Sequence, residues 1–575
     1  MERLRTLLIA FALLLPLESA ASQTIDLTTR PLSGSSSYAA LQAAAPLSVV
    51  PASSWHDRAL GQQIIVDVIN PSLGMAVSAS VRLVAAADQV YLWAEDSVPH
   101  STDRFGALAA RIRDELIPSV NNLWETSSAS IPVHIVFTAQ IGDGLDAYYQ
   151  YQPFDELSGP RIVVNAARFS ALDDPLLWSR LAHEYQHLLR HHDIGAAATW
   201  LDEGYSVYTE QALALSDNTF LLRAFYHAPQ TPLMTWGGTL ADYGASLSFI
   251  SYVEGRFGSA ARRALSREIG HGYQALQRAL GQRVDVETLL ADWVLEALLS
   301  PSQPLPVNVE RINRLPHHTR GALAQTGTQV LRLGAPAVSM LQLDFTPSTD
   351  AALLSGAACG ENRFMMALPV DNSQANLTAV FDLTVADDPV LNFDLWYDLE
   401  RHWDYAYISA SVDGQTWVDL TSPMMTTANP YRRARTAGYT GQSDGWVSDA
   451  VDLSPFAGHQ VLVRFQALTD ESTTHSGIAL DNVRLGSDGA AQTFDAEPIH
   501  WQSDGWAQVD GCLPQRTWVQ IVQRAGAEQY LTRILTDRAF SQGIALQPNT
   551  EAVFIAITPA TPYVTAPLIY TLTVR

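Results

Sequence analysis

The stretch that decides the fold runs from Asp173 to Gln211 and reads DDPLLWSRLAHEYQHLLRHHDIGAAATWLDEGYSVYTEQ. Inside it, H-E-Y-Q-H is an H-E-x-x-H motif. On a helix, residues four apart lie on the same face, so His183 and His187 can offer two imidazole nitrogens to one metal ion. Glu184, between them, can serve as a general base. Chance alone would produce such a motif only about 0.04 times in a chain of this composition. The sequence therefore predicts a zinc site on a helix.

Two helices are predicted within this stretch. Asp173 or Asp174 can cap the first, and Pro175 suits its first turn. The second is expected to begin at Thr199, with Asp202 three residues later as its partner in a capping box. The chain between the helices is long enough to reverse direction. We therefore expect the second helix to return past the metal.

The second helix should supply the third ligand. Glu203 lies in W-L-D-E-G, sixteen residues after His187. A rival is Asp193, ten residues after His183, where metzincin peptidases place a His or an Asp. In metzincins the chain turns sharply at a glycine seven residues after the first histidine. Here Arg190 occupies that position. We favour Glu203 as the third ligand and expect Asp193 to support a ligand without binding the metal itself.

The block H-E-Y-Q-H followed by T-W-L-D-E-G resembles the gluzincin peptidases, and among them the hyicolysin-like peptidases. The resemblance is specific over about forty residues. It implies that His183, His187 and Glu203 bind zinc and that Glu184 is the general base. It also implies a zincin-type metallopeptidase domain around them.

Other candidates surround this block. The segment 242–258 resembles a helix that packs under the active site in gluzincins, which makes Tyr243 a candidate to stabilise the oxyanion; an ordinary tyrosine at the edge of the core is the alternative. Glu210 lies seven residues after Glu203 and is either a second carboxylate behind the ligands or a solvated charge. His191 and His192 are expected at the surface, near the end of the first helix.

The composition limits the partners. The 575 residues can form three or four domains, and the net charge of −24 argues against nucleic acid. Residues 1–21 resemble a secretory signal, with two arginines before an apolar core too short to span a membrane comfortably; an uncleaved anchor is the alternative. We expect a secreted monomer that acts on protein or peptide and has no membrane segment after signal cleavage.

The chain has two cysteines, Cys359 and Cys512. Export would permit a disulfide between them, which would join two predicted domains. Two unpaired buried thiols are the alternative. Neither cysteine has a CxxC context, so neither is predicted to bind a metal.

Changes in composition and periodicity predict the domain boundaries. The expected segments are a signal peptide (1–21), a leader or short propeptide (22–79), a zincin metallopeptidase domain (80–305), a linker with a first β segment (306–339), a MAM-like β-sandwich (340–486) and a C-terminal β-rich domain (487–575). Within the peptidase domain, runs 132–137 and 161–164 read as strands. Either could be the strand along the cleft that binds substrate as an added strand.

The sequence of the predicted sandwich contains motifs that resemble a second family. W-Y-D-x-E, W-D-Y-A-Y, S-x-D-G-x-T-W and D-N-V occur in order between residues 396 and 483. They resemble the MAM-like module of immune-inhibitor-A-type secreted metallopeptidases, in which calcium sites occur. Glu400, Asp404 and Asp481 are possible calcium ligands, and exposed turn carboxylates are the alternative explanation.

The sequence thus predicts a multidomain α+β protein: a zincin-type metallopeptidase domain followed by all-β jelly-roll or sandwich domains. The expected activity is that of a secreted zinc endopeptidase. One alternative is a surface- or glycan-binding β-sandwich protein with an inactive zincin domain. Another is a zinc aminopeptidase, although the chain lacks the G-A-M-E-N motif of that group.

Overall fold

The computed structural model describes residues 21–575, apart from 28, 33–34, 45–46, 49–57, 100, 127–130, 152–154, 158, 170, 196–197, 301–306, 355–358, 360–361, 369, 387, 474 and 496–499. The expected signal peptide therefore lies almost wholly outside the described residues. No helix in the described part of the chain is both long and apolar enough to cross a membrane.

An N-terminal segment precedes a mixed α/β domain. The segment contains β1 (Ala21–Asp26), α1 (Ser36–Ala43) and β2 (Leu47–Ser48). The strands of the α/β domain are β3 (Gln63–Asn70), β4 (Met75–Ala87), β5 (Val90–Glu95), β6 (Val133–Thr138), β7 (Ala147–Gln150) and β8 (Arg161–Asn165). Its helices are α2 (Thr102–Arg111), α3 (Ile117–Trp124), α4 (Pro175–Asp193), α5 (Thr199–Ala212), α6 (Thr219–His227), α7 (Leu240–Phe257), α8 (Ser259–Ser266), α9 (Gly272–Leu280) and α10 (Val286–Val294).

The rest of the chain is β-rich. Its first strands are β9 (Glu310–Ile312), β10 (His317–Leu323), β11 (Gln329–Gly334), β12 (Met340–Pro347), β13 (Asp350–Ala352), β14 (Phe364–Ala367), β15 (Ser373–Asp382), β16 (Val390–Asp398), β17 (Tyr405–Ser411), β18 (Val418–Leu420) and β19 (Val447–Asp452). The remainder are β20 (Gln460–Leu468), β21 (Gly477–Leu485), β22 (Gln502–Asp504), β23 (Trp506–Val509), β24 (Cys512–Pro514), β25 (Thr517–Ala525), β26 (Glu528–Thr536), β27 (Phe540–Ala545), β28 (Ala552–Pro559) and β29 (Leu568–Val574).

The α/β domain is built on one six-stranded sheet in the order β3-β4-β5-β6-β8-β7. Strands β5, β6 and β8 are parallel, and β7 runs antiparallel at the edge. The sheet begins at Gln63 rather than at the expected boundary near residue 80, because β3 pairs with β4 along its whole length. Strand β3 is therefore a part of this sheet, and its pairing satisfies backbone groups of β4.

Two further β domains follow. The sandwich domain (364–509) packs the sheet β19-β16-β21-β14-β23 on the sheet β18-β17-β20-β15-β2, around a core that includes Phe393, Phe465 and Leu480. The C-terminal domain packs β1-β26-β25-β28-β11-β9 on β10-β29-β12-β27. A mixed helix-and-sheet protein with a β-rich C-terminal region is what the sequence predicted.

The boundaries of the β domains differ from those expected. Strand β12, at residue 340, was assigned to the sandwich, but it pairs with β27 and β29 of the C-terminal domain. At the other end, β22 and β23 extend the sandwich beyond residue 486. The C-terminal domain is therefore discontinuous in sequence, and the sandwich is inserted within it. Turn signals mark where strands end, but they do not show which sheet a strand joins.

The two cysteines form a disulfide, Cys359–Cys512. The expectation placed them in different domains, whereas the bridge joins the two ends of the sandwich insertion. Because 153 residues separate the two cysteines in sequence, the bridge closes a long loop. Such a cross-link stabilises a protein mainly by restricting the unfolded chain.

We expect the Cys359→Ser/Cys512→Ser double variant to lose about 2–5 kcal/mol of unfolding free energy. Denaturant titration followed by tryptophan fluorescence would measure the loss. Reduced wild-type protein is the matched control and should lose a similar amount. Unchanged stability in both samples would contradict a constraining role for the bridge.

Candidate metal and catalytic site

Helix α4 lies at the centre of the α/β domain. Asp174 caps it by accepting a hydrogen bond from the Leu176 amide at 2.9 Å, and Pro175 occupies the first turn. Around the motif the helix is buried on all sides, and His183, Glu184 and His187 are 8%, 5% and 7% exposed. Three buried ionisable side chains on one helix require partners close by.

Helix α5 supplies those partners; it begins at Thr199, as predicted, but without the predicted capping box. Asp202 does not form a capping box with Thr199, because its carboxylate points at the histidines of α4 instead. Thr199 is held by the sandwich domain: its hydroxyl donates to Asp371 at 2.5 Å and accepts from the Thr473 amide at 2.8 Å. The start of this helix is thus fixed by another domain.

The three predicted metal-ligating side chains converge. The Oε2 atom of Glu203 lies 3.2 Å from Nε2 of His183 and 3.7 Å from Nε2 of His187. One donor atom from each residue lies within 4.8 Å of the other two. Two imidazole nitrogens and one carboxylate oxygen are a donor set typical of zinc.

Each histidine is oriented by a carboxylate on its far side. Glu210 Oε1 accepts from Nδ1 of His183 at 2.9 Å, and Asp202 Oδ2 accepts from Nδ1 of His187 at 2.8 Å. An Nδ1–H that donates in this way leaves the lone pair on Nε2 for a metal. Glu210 is only 1% exposed, so the alternative that it is a solvated charge is wrong. The sequence predicts Asp202 only as a helix cap, so its contact with His187 was not predicted.

The end of α4 also differs from expectation. His191 was expected at the surface, but it is 3% exposed, and its Nε2 lies 3.1 Å from Oδ2 of Asp202. His192 is exposed. The rival ligand Asp193 is the last residue of the helix, and its side chain lies outside the described residues. Arg190 is helical and donates to the Gly195 carbonyl at 2.9 Å, so the chain turns only after the helix has ended.

The site is dominated by negative charge. Burial alone would lower the pKa of His183, but Glu203 and Glu210 outweigh it and raise that pKa well above the usual value. For Asp202, burial is outweighed by His187 and His191, which hold its pKa well below the usual range. Burial raises the pKa of Glu184. A centre that stabilises positive charge on its imidazoles also suits a divalent cation.

Tyr243 reaches the same site from α7. Gly204 allows this approach, because a Cβ there would lie 3.1 Å from Ile250 and 3.2 Å from Ser246 on α7. Trp236 packs edge-on against the Tyr243 ring at 4.8 Å. Burial, followed by the charges of Glu203 and Glu184, raises the pKa of Tyr243 well above its usual value. The phenol therefore keeps its proton and can donate a hydrogen bond.

A cavity of about 340 Å³ opens over these residues. One wall is β7, which contributes Ala147, Tyr148 and Tyr149. The prediction that run 132–137 or run 161–164 borders the cleft is wrong, because those runs form the interior strands β6 and β8. The edge strand β7 has only four residues, which is too short for an alternating pattern to indicate a strand in the sequence.

The sandwich domain forms the opposite wall, with Glu400, Trp403 and Asp470 among its lining residues. Glu400, Asp404 and Asp470 each place a carboxylate oxygen within 4.8 Å of the other two. Asp481, grouped with Glu400 and Asp404 from the sequence, is not part of this cluster; it accepts from the Asn362 amide at 2.9 Å on another part of the sandwich. Asp470 takes its place, because the turn after β20 returns to the W-D-Y segment.

Comparison with known proteins supports the sandwich assignment. Residues 358–511 match the family model for the immune inhibitor A-like MAM domain. The prediction of a MAM-like module is confirmed, with boundaries that agree with the sandwich insertion rather than with 340–486. This part of the chain is similar to an accessory domain of that type, and the α/β domain lies outside the matched residues.

Several bacterial proteins match over the same limited extent. Pre-pro-metalloprotease PrtV of Vibrio cholerae serotype O1 (strain M66-2) is 28% identical over 125 residues, 22% of this chain and 13% of that protein. Immune inhibitor A of Bacillus thuringiensis subsp. alesti is 32% identical over 127 residues, 22% of this chain and 17% of that protein. Bacillopeptidase F of Bacillus subtilis (strain 168) is 27% identical over 125 residues, 21% of this chain and 8% of that protein. These matches lie in the accessory domain.

The carboxylates behind the histidines generate a prediction. We expect Glu210→Gln and Asp202→Asn each to weaken zinc binding by about tenfold to hundredfold, because a neutral amide orients the imidazole less strongly. Titration against a chelator of known affinity would measure the change. Asp217→Asn, which alters an exposed carboxylate just beyond α5, is the matched control and should bind zinc like wild type. Equal affinity in all four proteins would show that these contacts do not tune the site.

Proposed function

We propose that this protein is a secreted, zinc-dependent endopeptidase of the gluzincin type, related to the hyicolysin-like peptidases. The observation that carries the proposal is the convergence of His183, His187 and Glu203, with Glu184 on the same buried helix. The similarity of the accessory domain to parts of bacterial proteins, one of them named a metalloprotease, supports it.

The residues present fit a zinc ion. Both Nε2 atoms face the Glu203 carboxylate, and both Nδ1 atoms are already engaged by Glu210 and Asp202. Glu203 is preferred over Asp193 because it approaches both histidines. When bound, zinc would supply Lewis-acid polarisation of the scissile carbonyl and of a water molecule.

The chain's own residues perform the proton transfers. Glu184 accepts a proton from the attacking water and then delivers it to the leaving amine. Its raised pKa suits this exchange, because a carboxylate with a lower pKa would be a weaker base and would take the proton from water less readily. Tyr243 keeps its phenolic proton and donates a hydrogen bond to the developing oxyanion.

The edge strand supports an endopeptidase rather than an aminopeptidase. Strand β7 is hydrogen-bonded to β8 on one side, and Ala147, Tyr148 and Tyr149 line the cavity. An extended peptide can add to such an edge, with main-chain hydrogen bonds along its length. Binding of this kind places an internal peptide bond over the site and requires no free amino terminus.

We expect Glu184→Gln to retain about one zinc per chain, because the ligands are intact, and to lose peptidase activity by at least about a thousandfold. Cleavage of an internally quenched peptide with blocked ends would measure activity, and elemental analysis would measure zinc. Full activity in this variant would exclude Glu184 as the base.

Metal content separates the two candidate ligands. Glu203→Ala should lose zinc and Asp193→Ala should keep it. The reverse result would indicate a metzincin-like site with Asp193 as the third ligand.

The same measurements test the alternative functions. Absence of zinc from wild type, even after reloading, would favour the surface- or glycan-binding alternative. Cleavage only of peptides with free amino termini would favour the aminopeptidase.

We further propose that Glu400, Asp404 and Asp470 bind calcium. Burial and the neighbouring carboxylates, chiefly Asp470, raise the pKa of Glu400 to about 10, and burial with Asp470 raises that of Asp404. Carboxylates that retain protons so strongly are crowded, and a hard divalent cation relieves the same repulsion.

Calcium should therefore raise Tm at alkaline pH. Without calcium, carboxyl groups with raised folded-state pKa values bind more protons in the folded chain than in the unfolded chain. Their contribution to the free energy of unfolding falls as the pH rises from about 5 toward about 10, which is the pKa of Glu400 in the folded chain. Differential scanning calorimetry with and without calcium would test this. Glu400→Gln should flatten the pH dependence and remove the calcium response, and a calcium response unchanged in that variant would place the ion elsewhere.

A further inference from the structure

The loop of the sandwich domain that precedes Arg433 docks on the α/β domain. The Pro430 carbonyl accepts from the Ala76 amide at 2.9 Å, and Arg432 forms an ion pair with Asp67. These contacts carry the next side chain, Arg433, into the wall of the cavity beside Trp403, whose ring lies 5.5 Å from the guanidinium.

Arg433 and Glu471 together hold the residue that follows β7. Arg433 Nη1 donates to the Tyr151 carbonyl at 2.9 Å, and Glu471 Oε1 accepts from the Tyr151 amide at 3.3 Å. The two side chains also pair with each other at 2.7 Å and are only 10% and 13% exposed. Both main-chain groups of one residue are thus bound by a buried ion pair from another domain.

Tyr151 in turn contacts the residues behind the metal site. Its ring packs edge-on against His191, with ring centroids 5.6 Å apart. His191 lies 3.1 Å from Asp202, which accepts from His187 at 2.8 Å. A continuous set of contacts therefore leads from the sandwich domain through the end of β7 to a predicted metal ligand.

We propose that Arg433 and Glu471 are positioning residues of the active site: they fix the end of the edge strand that binds the peptide substrate, so the MAM-like domain is a working part of the cleft. A short edge strand has few hydrogen bonds of its own, and here four residues pair with β8. Main-chain anchoring at its end keeps the strand extended and ready to pair with a substrate.

The test replaces Arg433 with methionine, which keeps the length of the side chain and removes its donors. We expect KM for the internally quenched peptide to rise about tenfold while kcat changes by less than about threefold, because strand binding is lost and the proton-transfer groups are intact. Zinc content should remain that of wild type. A purely structural role would lower Tm and the active fraction, hence the apparent kcat, and would leave KM unchanged.

Arg435→Met is the matched control. Arg435 lies two residues further along and pairs with Asp419 within the sandwich domain, so its loss should leave KM unchanged. Glu471→Gln is an isosteric second variant that breaks the ion pair and decides the question if Arg433→Met does not fold. It should raise KM in the same direction by a smaller factor.

The kinetic readout rests on the proposed peptidase function, so a second readout is independent of it. Hydrogen exchange of a peptide covering residues 146–151 should accelerate at least about tenfold in Arg433→Met and remain unchanged in Arg435→Met. An inactive wild-type protein that shows this difference would remove the proposed function and keep the positioning role. Unchanged exchange and unchanged KM would overturn the inference.

Discussion

The interaction on which the site depends is the contact between α4 and α5. Asp202 and Glu210 on one helix hold the Nδ1 atoms of His187 and His183 on the other, and Glu203 faces both Nε2 atoms. Burying so many ionisable groups would be costly if any lacked a partner. Here Glu210 pairs with Arg180 and His183, and Asp202 pairs with His187; the remaining negative charge is what a divalent cation would neutralise.

That contact is stabilised from outside the α/β domain. The sandwich domain binds Thr199 at the start of α5, and through Arg433 and Glu471 it binds the end of β7. The helix that carries Glu203 and the strand that lines the cleft are therefore fixed by the same domain. In this arrangement the sandwich domain is part of the structure that holds the site in place.

The sequence predicted what depends on local chemistry. The H-E-x-x-H spacing placed His183 and His187 on one helix face, and Asp174 with Pro175 marked where that helix begins. Contacts between segments far apart in the chain could not be predicted from the sequence. Asp202 resembled a capping residue because its partner, His187, is close only after the chain reverses. Asp470 replaces Asp481 in the acidic cluster because strand order, which one sequence does not reveal, brings residues 400 and 470 together.

The N-terminal segment illustrates the same limit and bears on the expected leader. Strand β1 adds to the edge of the C-terminal domain in parallel with β26, and β2 pairs with β15 of the sandwich. Between them, the buried amide of Gln274 in the α/β domain donates to the carbonyls of residues 41, 42 and 44 at the end of α1. One segment thus contacts all three domains. Without this segment the buried Gln274 amide would lose these acceptors, so the contacts stabilise the packing of the three domains.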